Sequence, residues 1–335
     1  MEQRTLGPDG PRVSRVALGT MTFGQEADEQ ASHAILDTYL TAGGTLVDTA
    51  DVYSDGESER IIGRWLGKNA TARDQIVLAT KGRFPITDQP GPGLSRDYLR
   101  RALDASLYRL GVDHIDIYQA HGPDPRVPLD EFALFAEEAQ AAGKVTHVGL
   151  SNFPGWQTSL AHALCRQHGA RPPVSLQPQY SLLVREPEWE IMPAAEALGM
   201  GTMVWGPLGA GWLTGKYRRD ERPPAGSRLG DDPNRGLEAL DRRGTERTWR
   251  IVDTLLRLAG EAGVPPAQVA LAWVLQRPGV TSALVGARTP QQLTTSLPVA
   301  DLRLDPALVA QLEEVSAPQT PDYPYRFVEE ISAMR

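Results

Sequence analysis

The sequence predicts an α/β fold, a (β/α)8 TIM barrel with an N-terminal β-hairpin and additional C-terminal helices. Three observations lead there. Short apolar runs alternate with helical periodicity along the chain, eight times in all. The runs are apolar at consecutive positions, as strands buried on both faces are. The 335 residues suit one such barrel, and no repeat, low-complexity tract or composition break divides residues 1–335 into smaller domains.

Two short segments around Gly7-Pro8-Asp9-Gly10, within residues 3–15, read as a hairpin that plugs the bottom of the barrel. Barrel strands are expected near 16–19, 45–48, 76–81, 115–120, 145–150, 174–178, 201–205 and 281–285. Helices follow near 29–42, 57–67, 95–110, 129–142, 155–168, 188–198, 245–262 and 290–297. Further helices are expected at 266–276, before the last strand, and at 306–316. Residues 218–244, rich in Arg, Asp, Pro and Gly, form a long irregular insertion, which in a compact chain is functional or disordered. The tail 317–335 carries Pro318, Pro321 and Pro324 among aromatics and is expected to lie across the barrel mouth.

Composition excludes several classes of function. The formal net charge of −8 argues against a nucleic-acid surface, which needs clustered cations. Cys165 is the single cysteine, so no intramolecular disulfide framework exists, and a reducing compartment fits. No signal region opens the chain, and no apolar run approaches a membrane span. A cytoplasmic protein, monomer or homo-oligomer, without nucleic-acid or membrane partners, is expected. The six histidines include no H-E-x-x-H and no i,i+4 pair, so no metal site is expected. No G-x-S-x-G elbow supports a serine nucleophile.

The chemistry concentrates at the ends of successive strands. Leu46-Val47 leads into Asp48, and a turn then presents Tyr53. Ile76–Thr80 leads into Lys81, and Ile115–Ala120 into His121. In such a barrel the carboxyl ends of the strands build the active site. A phenol near neutral pH is protonated and can donate its proton. A neighbouring ammonium favours the phenolate and is expected to make the phenol more acidic.

The four residues, with Leu18-Gly19-Thr20-Met21, Gly149-Leu150-Ser151-Asn152-Phe153 and Val285-Gly286-Ala287-Arg288-Thr289-Pro290 in order, resemble the aldo-keto reductases over nearly the whole chain. The resemblance implies NADPH-dependent reduction of an aldehyde or ketone to an alcohol. Tyr53 is the implied proton donor, Lys81 lowers its pKa, and Asp48 pairs with Lys81. His121 orients the substrate oxygen and shares in proton transfer. Tyr53, His121 and Phe84 are the expected substrate contacts. Phe23, Trp212, Tyr323 and Tyr325 are further aromatic candidates for the mouth.

A hydride must come from a bound dinucleotide, since no side chain supplies one. The Gly209–Gly215 stretch misses the dinucleotide fingerprint by one position. Arg288-Thr289-Pro290-Gln291-Gln292 is a better anion site: Thr289 as N-cap, Pro290 at the first helical position and Gln292 three after the cap form a capping box. A helix start attracts anions, and Arg288 beside it suits a 2′-phosphate, so NADP is expected over NAD. The resemblance assigns Ser151, Asn152 and Gln177 to the nicotinamide carboxamide and Trp205 to stacking on its ring. It also places Gly19, Thr20, Met21 and Asp48 at the nicotinamide end. Pro207-Leu208-Gly209, with Leu213, Gly215 and Lys216, matches a pyrophosphate loop, with Arg228 in a strap over it; Gly206, Gly211 and Gly286 are further expected cofactor contacts. Gly206 stands where many relatives have Ser, and Thr295-Ser296 replaces their adenine-binding Glu-Asn pair. The resemblance also admits a second class of function, an NADP(H)-sensing binding protein like potassium-channel β subunits, which keep the same four residues.

Overall fold

A computed structural model describes residues 1–69, 71–87, 93–234 and 236–334. Arg235 in the insertion and Arg335 at the end of the tail lie outside the described residues. Strands β1 (Gln3–Thr5) and β2 (Arg12–Ser14) pair antiparallel, with Gln3 opposite Ser14. Eight parallel strands then close a barrel: β3 (Val16–Gly19), β4 (Leu46–Asp48), β5 (Val77–Gly82), β6 (Ile115–Ala120), β7 (Val145–Ser151), β8 (Ser175–Gln177), β9 (Gly201–Val204) and β10 (Val280–Gly286). Closure joins β10 to β3, with Gly286 opposite Gly19.

The barrel is filled, as closed eight-stranded barrels are. Ala17, Leu46, Ala79, Ile117, Met203 and Leu284 pack inside it together with Leu6 and Val13 of the hairpin. Gly7, at φ +73°, lies against the carbonyls of Gly199 and Val174, where a Cβ would come within 2.7 Å of the first oxygen. The hairpin therefore plugs the amino ends of the strands, and chemistry is left to the other end.

Outside the barrel several helices bury a single stripe, whereas Pro266–Leu275 is buried at every position from Val269 to Leu275. The helix Glu246–Ala262 starts where the Thr245 side chain accepts from the Thr248 N–H and ends at Gly263 with φ 64°. Its buried Trp249, Val252, Leu255, Leu258 and Ala259 follow helical spacing and face Pro306–Ser316 and Pro266–Leu275. Each fully buried apolar side chain of this kind contributes about 1.5–3 kcal/mol. No helix among the described residues is long and apolar enough to cross a membrane.

One expectation changes. The insertion is partly helical, at Arg228–Asp231 and Leu240–Arg243. Leu229, Glu238 and Ala239 within it are buried, and Glu238 anchors it. Its carboxylate accepts from Arg243 Nε at 2.9 Å and Nη2 at 3.0 Å and from the Gln179 amide, and its carbonyl accepts from Trp212 Nε1 at 3.0 Å. The tail is pinned to a loop at the mouth end of the barrel. Tyr325 stacks on Trp189 at 5.4 Å and donates to Glu190 at 3.3 Å, on the loop after β8. No hydrogen bond or ring contact among the described residues joins it to Tyr53, Lys81 or His121.

Candidate active site

All eight strand ends meet at the open mouth, and the expected residues arrive there together. Asp48 ends β4, opposite Ala79 of β5. The two-residue alternation of β5 therefore carries Lys81 to the same interior. Lys81 Nζ donates to Asp48 Oδ2 at 2.6 Å, to the Thr49 carbonyl at 2.8 Å and to the Tyr53 hydroxyl at 3.3 Å. Lys81 and Asp48 are fully buried. The His121 ring stands edge-on to Tyr53 at 5.9 Å and to Phe84 at 4.9 Å. Phe84 and Tyr53 thus both pack against the His121 ring.

The electrostatics correct two expectations. The Tyr53 pKa is raised above its ordinary value of 10.0, because burial outweighs the pull of Lys81, and Asp48 opposes that pull. Part of the ring remains accessible at the mouth. Its hydroxyl is therefore a protonated donor at neutral pH, not an acidified phenol. Lys81 stays an ammonium: burial lowers its pKa, but Asp48 and Tyr53 raise it further. His121 is held well below the usual histidine range by burial and then by the Lys81 and Arg83 charges. A neutral imidazole orients an oxygen by hydrogen bonding but is no proton source, so the shared proton transfer expected of His121 is not supported. Its Nδ1 is buried without a hydrogen-bond partner.

Two residues escaped the sequence reading. Gln119, on β6 opposite Lys81, donates Nε2 to Asp48 Oδ1 at 3.0 Å. Gln177 Nε2 reaches the same oxygen at 2.9 Å and Gln119 Oε1 at 3.2 Å. Asp48 is thus held in place by three donors, Lys81, Gln119 and Gln177. A glutamine inside the apolar run Ile115–Ala120 was the available signal. Asp51 is the second. Both its carboxyl oxygens are buried without hydrogen-bond partners, and its pKa is raised to about 8 by burial, then by Glu59. Glu59 itself is paired with Arg109 at 2.7 Å and accepts from Thr80 Oγ1 at 2.5 Å.

A second group of residues lines the mouth from β7 to β10. Ser151 Oγ donates to the Gln177 carbonyl at 3.1 Å. Asn152, at φ 62°, donates to the His121 carbonyl and to Ser151 Oγ, each at 3.0 Å, and accepts from Trp205 Nε1 at 2.9 Å. Asn tolerates that left-handed backbone better than most residues. Thr20 is fully buried. Its hydroxyl donates to the Asp48 carbonyl at 3.0 Å and accepts from Ser58, so it braces the strand end, while exposed Met21 and partly open Gly19 face the mouth. Phe23 and Trp212 are fully buried and belong to the packing rather than the rim.

Beyond β9, Gly206, Gly209 and Gly211 take φ of 67°, 53° and 100°, and Pro207 and Leu208 lie between them. At Gly211 the φ of 100° favours glycine, and the absent side chain leaves room for the Lys216 amine, 2.6 Å from where a Cβ would stand. Lys216 is exposed along its length, yet burial of the amine, then the Arg288 and Arg228 charges, lower its pKa. Three cations therefore converge beside a glycine-lined turn. Next to them Thr289 Oγ1 accepts from Gln292 N–H at 3.3 Å, and Gln292 Oε1 accepts from Arg288 N–H at 2.9 Å. The cap forms at Thr289 as expected, but the returning Gln292 side chain bonds the N–H one residue before the cap, on a helix of seven residues, Pro290–Ser296. Gly286 is exposed at the end of β10. This donor set suits phosphate: several fixed cations and backbone that approaches closely.

Fold and site together define a (β/α)8 barrel with a buried acid–base cluster and an anion-binding rim at one mouth. The chain belongs to the aldo/keto reductase family, whose model matches residues 15–317. It is 38% identical to an uncharacterized oxidoreductase, YrpG, of Bacillus subtilis (strain 168), over 94% of this chain and 96% of that one. It is 32% identical to a putative voltage-gated potassium channel subunit beta of Schizosaccharomyces pombe, over 93% and 92%. It is 31% identical to the versiconal hemiacetal acetate reductase of Aspergillus parasiticus, over 95% and 98%. Family and relatives support an oxidoreductase.

Proposed function

We propose that the chain reduces a small aldehyde or ketone with NADPH, with Tyr53 as the proton donor. The observation that carries this is the Lys81 ammonium, bonded at once to Asp48 and to the Tyr53 hydroxyl. Bound at the mouth, reduced nicotinamide supplies the hydride. Lys216, Arg228 and Arg288 would hold its phosphates, and Ser151, Asn152, Gln177 and Trp205 its nicotinamide end.

The chain's own residues do the rest. The neutral His121 ring hydrogen-bonds the carbonyl oxygen and aims it at Tyr53. As negative charge develops on that oxygen, the Tyr53 O–H proton moves to it. The Lys81 ammonium stabilises the phenolate left behind, without itself losing a proton. Asp48 keeps Lys81 charged and in place. Charge arranged before the reaction costs no reorganisation during it, and holding both reactants at one mouth supplies the orientation. Phe84 closes one side with apolar surface. The protein acts in the cytoplasm as a monomer or homo-oligomer.

The test is NADPH consumption with a panel of aldehydes and ketones. Turnover that falls about 10²–10⁴-fold in Tyr53→Phe, the range for a general acid, with NADPH binding retained, supports the reading. Tight NADPH binding with no turnover on any member points instead to a cofactor-sensing protein. The Schizosaccharomyces pombe relative gives that alternative its weight.

A further inference from the structure

The cations at the rim carry a counter-ion of their own. Glu26, in the loop after β3, is mostly buried, with 11% of its side chain exposed. Its Oε2 accepts from Arg288 Nε at 2.6 Å, and its Oε1 lies 3.6 Å from Arg228 Nη2. Arg288 Nη1 also donates to the Gly226 carbonyl at 2.8 Å. Asp231 Oδ1 accepts from the Gly226 N–H at 2.8 Å, and Asp231 Oδ2 lies 3.8 Å from Arg288 Nη1. One carboxylate thus ties the segment 226–231 to the turn after β10. The two guanidinium groups it holds come from sequence positions 60 apart.

We propose that Glu26 is a specificity-determining residue of the cofactor site: a 2′-phosphate must displace its carboxylate from Arg288 and Arg228, whereas a ribose 2′-hydroxyl need not. The claim rests on the reading of Arg288 as the 2′-phosphate contact. A guanidinium offers a rigid fork that matches carboxylate and phosphate alike. Arg288 has already committed its Nε–H and one N–H of Nη1, so each two-pronged edge of the guanidinium that a phosphate could take has a donor already engaged. The two anions also repel each other. A 2′-hydroxyl is neutral and can donate to a carboxylate, the contact by which acidic residues favour unphosphorylated ribose in other dinucleotide sites. Glu26 therefore narrows the preference for NADPH over NADH. It also links entry of the phosphate to release of the segment 226–231 from Arg288.

The experiment measures binding calorimetrically on the full chain, for wild type, Glu26→Gln and Glu26→Asp, each checked by thermal unfolding. The probes are adenosine 2′,5′-bisphosphate, 5′-AMP, NADPH and NADH. In Glu26→Gln the bisphosphate and NADPH should tighten about tenfold, the scale of one charge-assisted hydrogen bond. AMP and NADH should stay level or weaken. Glu26→Asp, too short to span both arginines, should show part of the same gain. Weaker bisphosphate binding in Glu26→Gln, or equal changes for all four probes, overturns the proposal. If wild type prefers the bisphosphate and Glu26→Gln leaves that preference unchanged, the Glu26 claim fails alone. If wild type binds bisphosphate no better than AMP, the reading of Arg288 fails instead.

Discussion

Asp51→Asn should make the protein more stable at neutral pH and flatten the pH dependence of its stability. The structure leaves the Asp51 carboxyl buried with neither oxygen hydrogen-bonded, between the Glu59–Arg109 pair and the Lys81 cluster. Its neutral form is favoured there, with a pKa raised to about 8 from the ordinary 3.8. The sign follows. Between these values the unfolded chain has lost this proton and the folded chain keeps it, so stability falls as pH rises. The stability is fully present below the lower value and is lost progressively up to about pH 8. One proton of difference gives about 1.4 kcal/mol per pH unit. Between pH 5 and pH 7 the wild type should therefore lose about 2.7 kcal/mol from this group. Asn cannot ionise and should lose none of it. Urea unfolding of both proteins at half-unit intervals from pH 5 to pH 8 reads the difference, in which all other titrations cancel. Parallel stability curves for the two proteins would refute the reasoning, since they would mean that Asp51 ionises alike in both states.

The raised Tyr53 pKa predicts that carbonyl reduction stays level from pH 6 to pH 9, because the phenol remains protonated, while alcohol oxidation climbs with pH over the same range; stopped-flow rates at saturating substrate check both. Gln119→Leu removes one of three donors to Asp48 and should cost about 1–3 kcal/mol of stability, read by denaturant midpoint, with NADPH affinity unchanged. Arg288→Ala should weaken NADPH about 10- to 100-fold, the scale of a lost charged hydrogen bond, and NADH hardly at all; equal losses by fluorescence titration would remove the 2′-phosphate assignment.

The barrel was legible because its strands are buried on both faces and so announce themselves as unbroken apolar runs. Asp48, Lys81 and His121 were legible because each closes such a run. Gln119 was not, since a polar residue within a strand faces the interior or the helices according to register, and pairing sets the register. Phe84, Phe23 and Trp212 looked alike as aromatics near strand ends; only packing placed Phe84 beside His121 and sent the other two inside. The tail's direction was equally open, because Tyr325 finds Trp189 through a contact 136 residues away in sequence.

Local pattern alone determined the strand order, the mouth at which chemistry sits and the residue types that meet there, since periodicity and strand ends are short-range properties. Tertiary structure decided the charge on each group. Burial raised Tyr53, silenced His121 as an acid and left Asp51 protonated, and desolvation depends on what surrounds a side chain in space. It also decided that Glu26 lies among the cations of the rim, a pairing between positions 26, 228 and 288 that no spacing along the chain could announce.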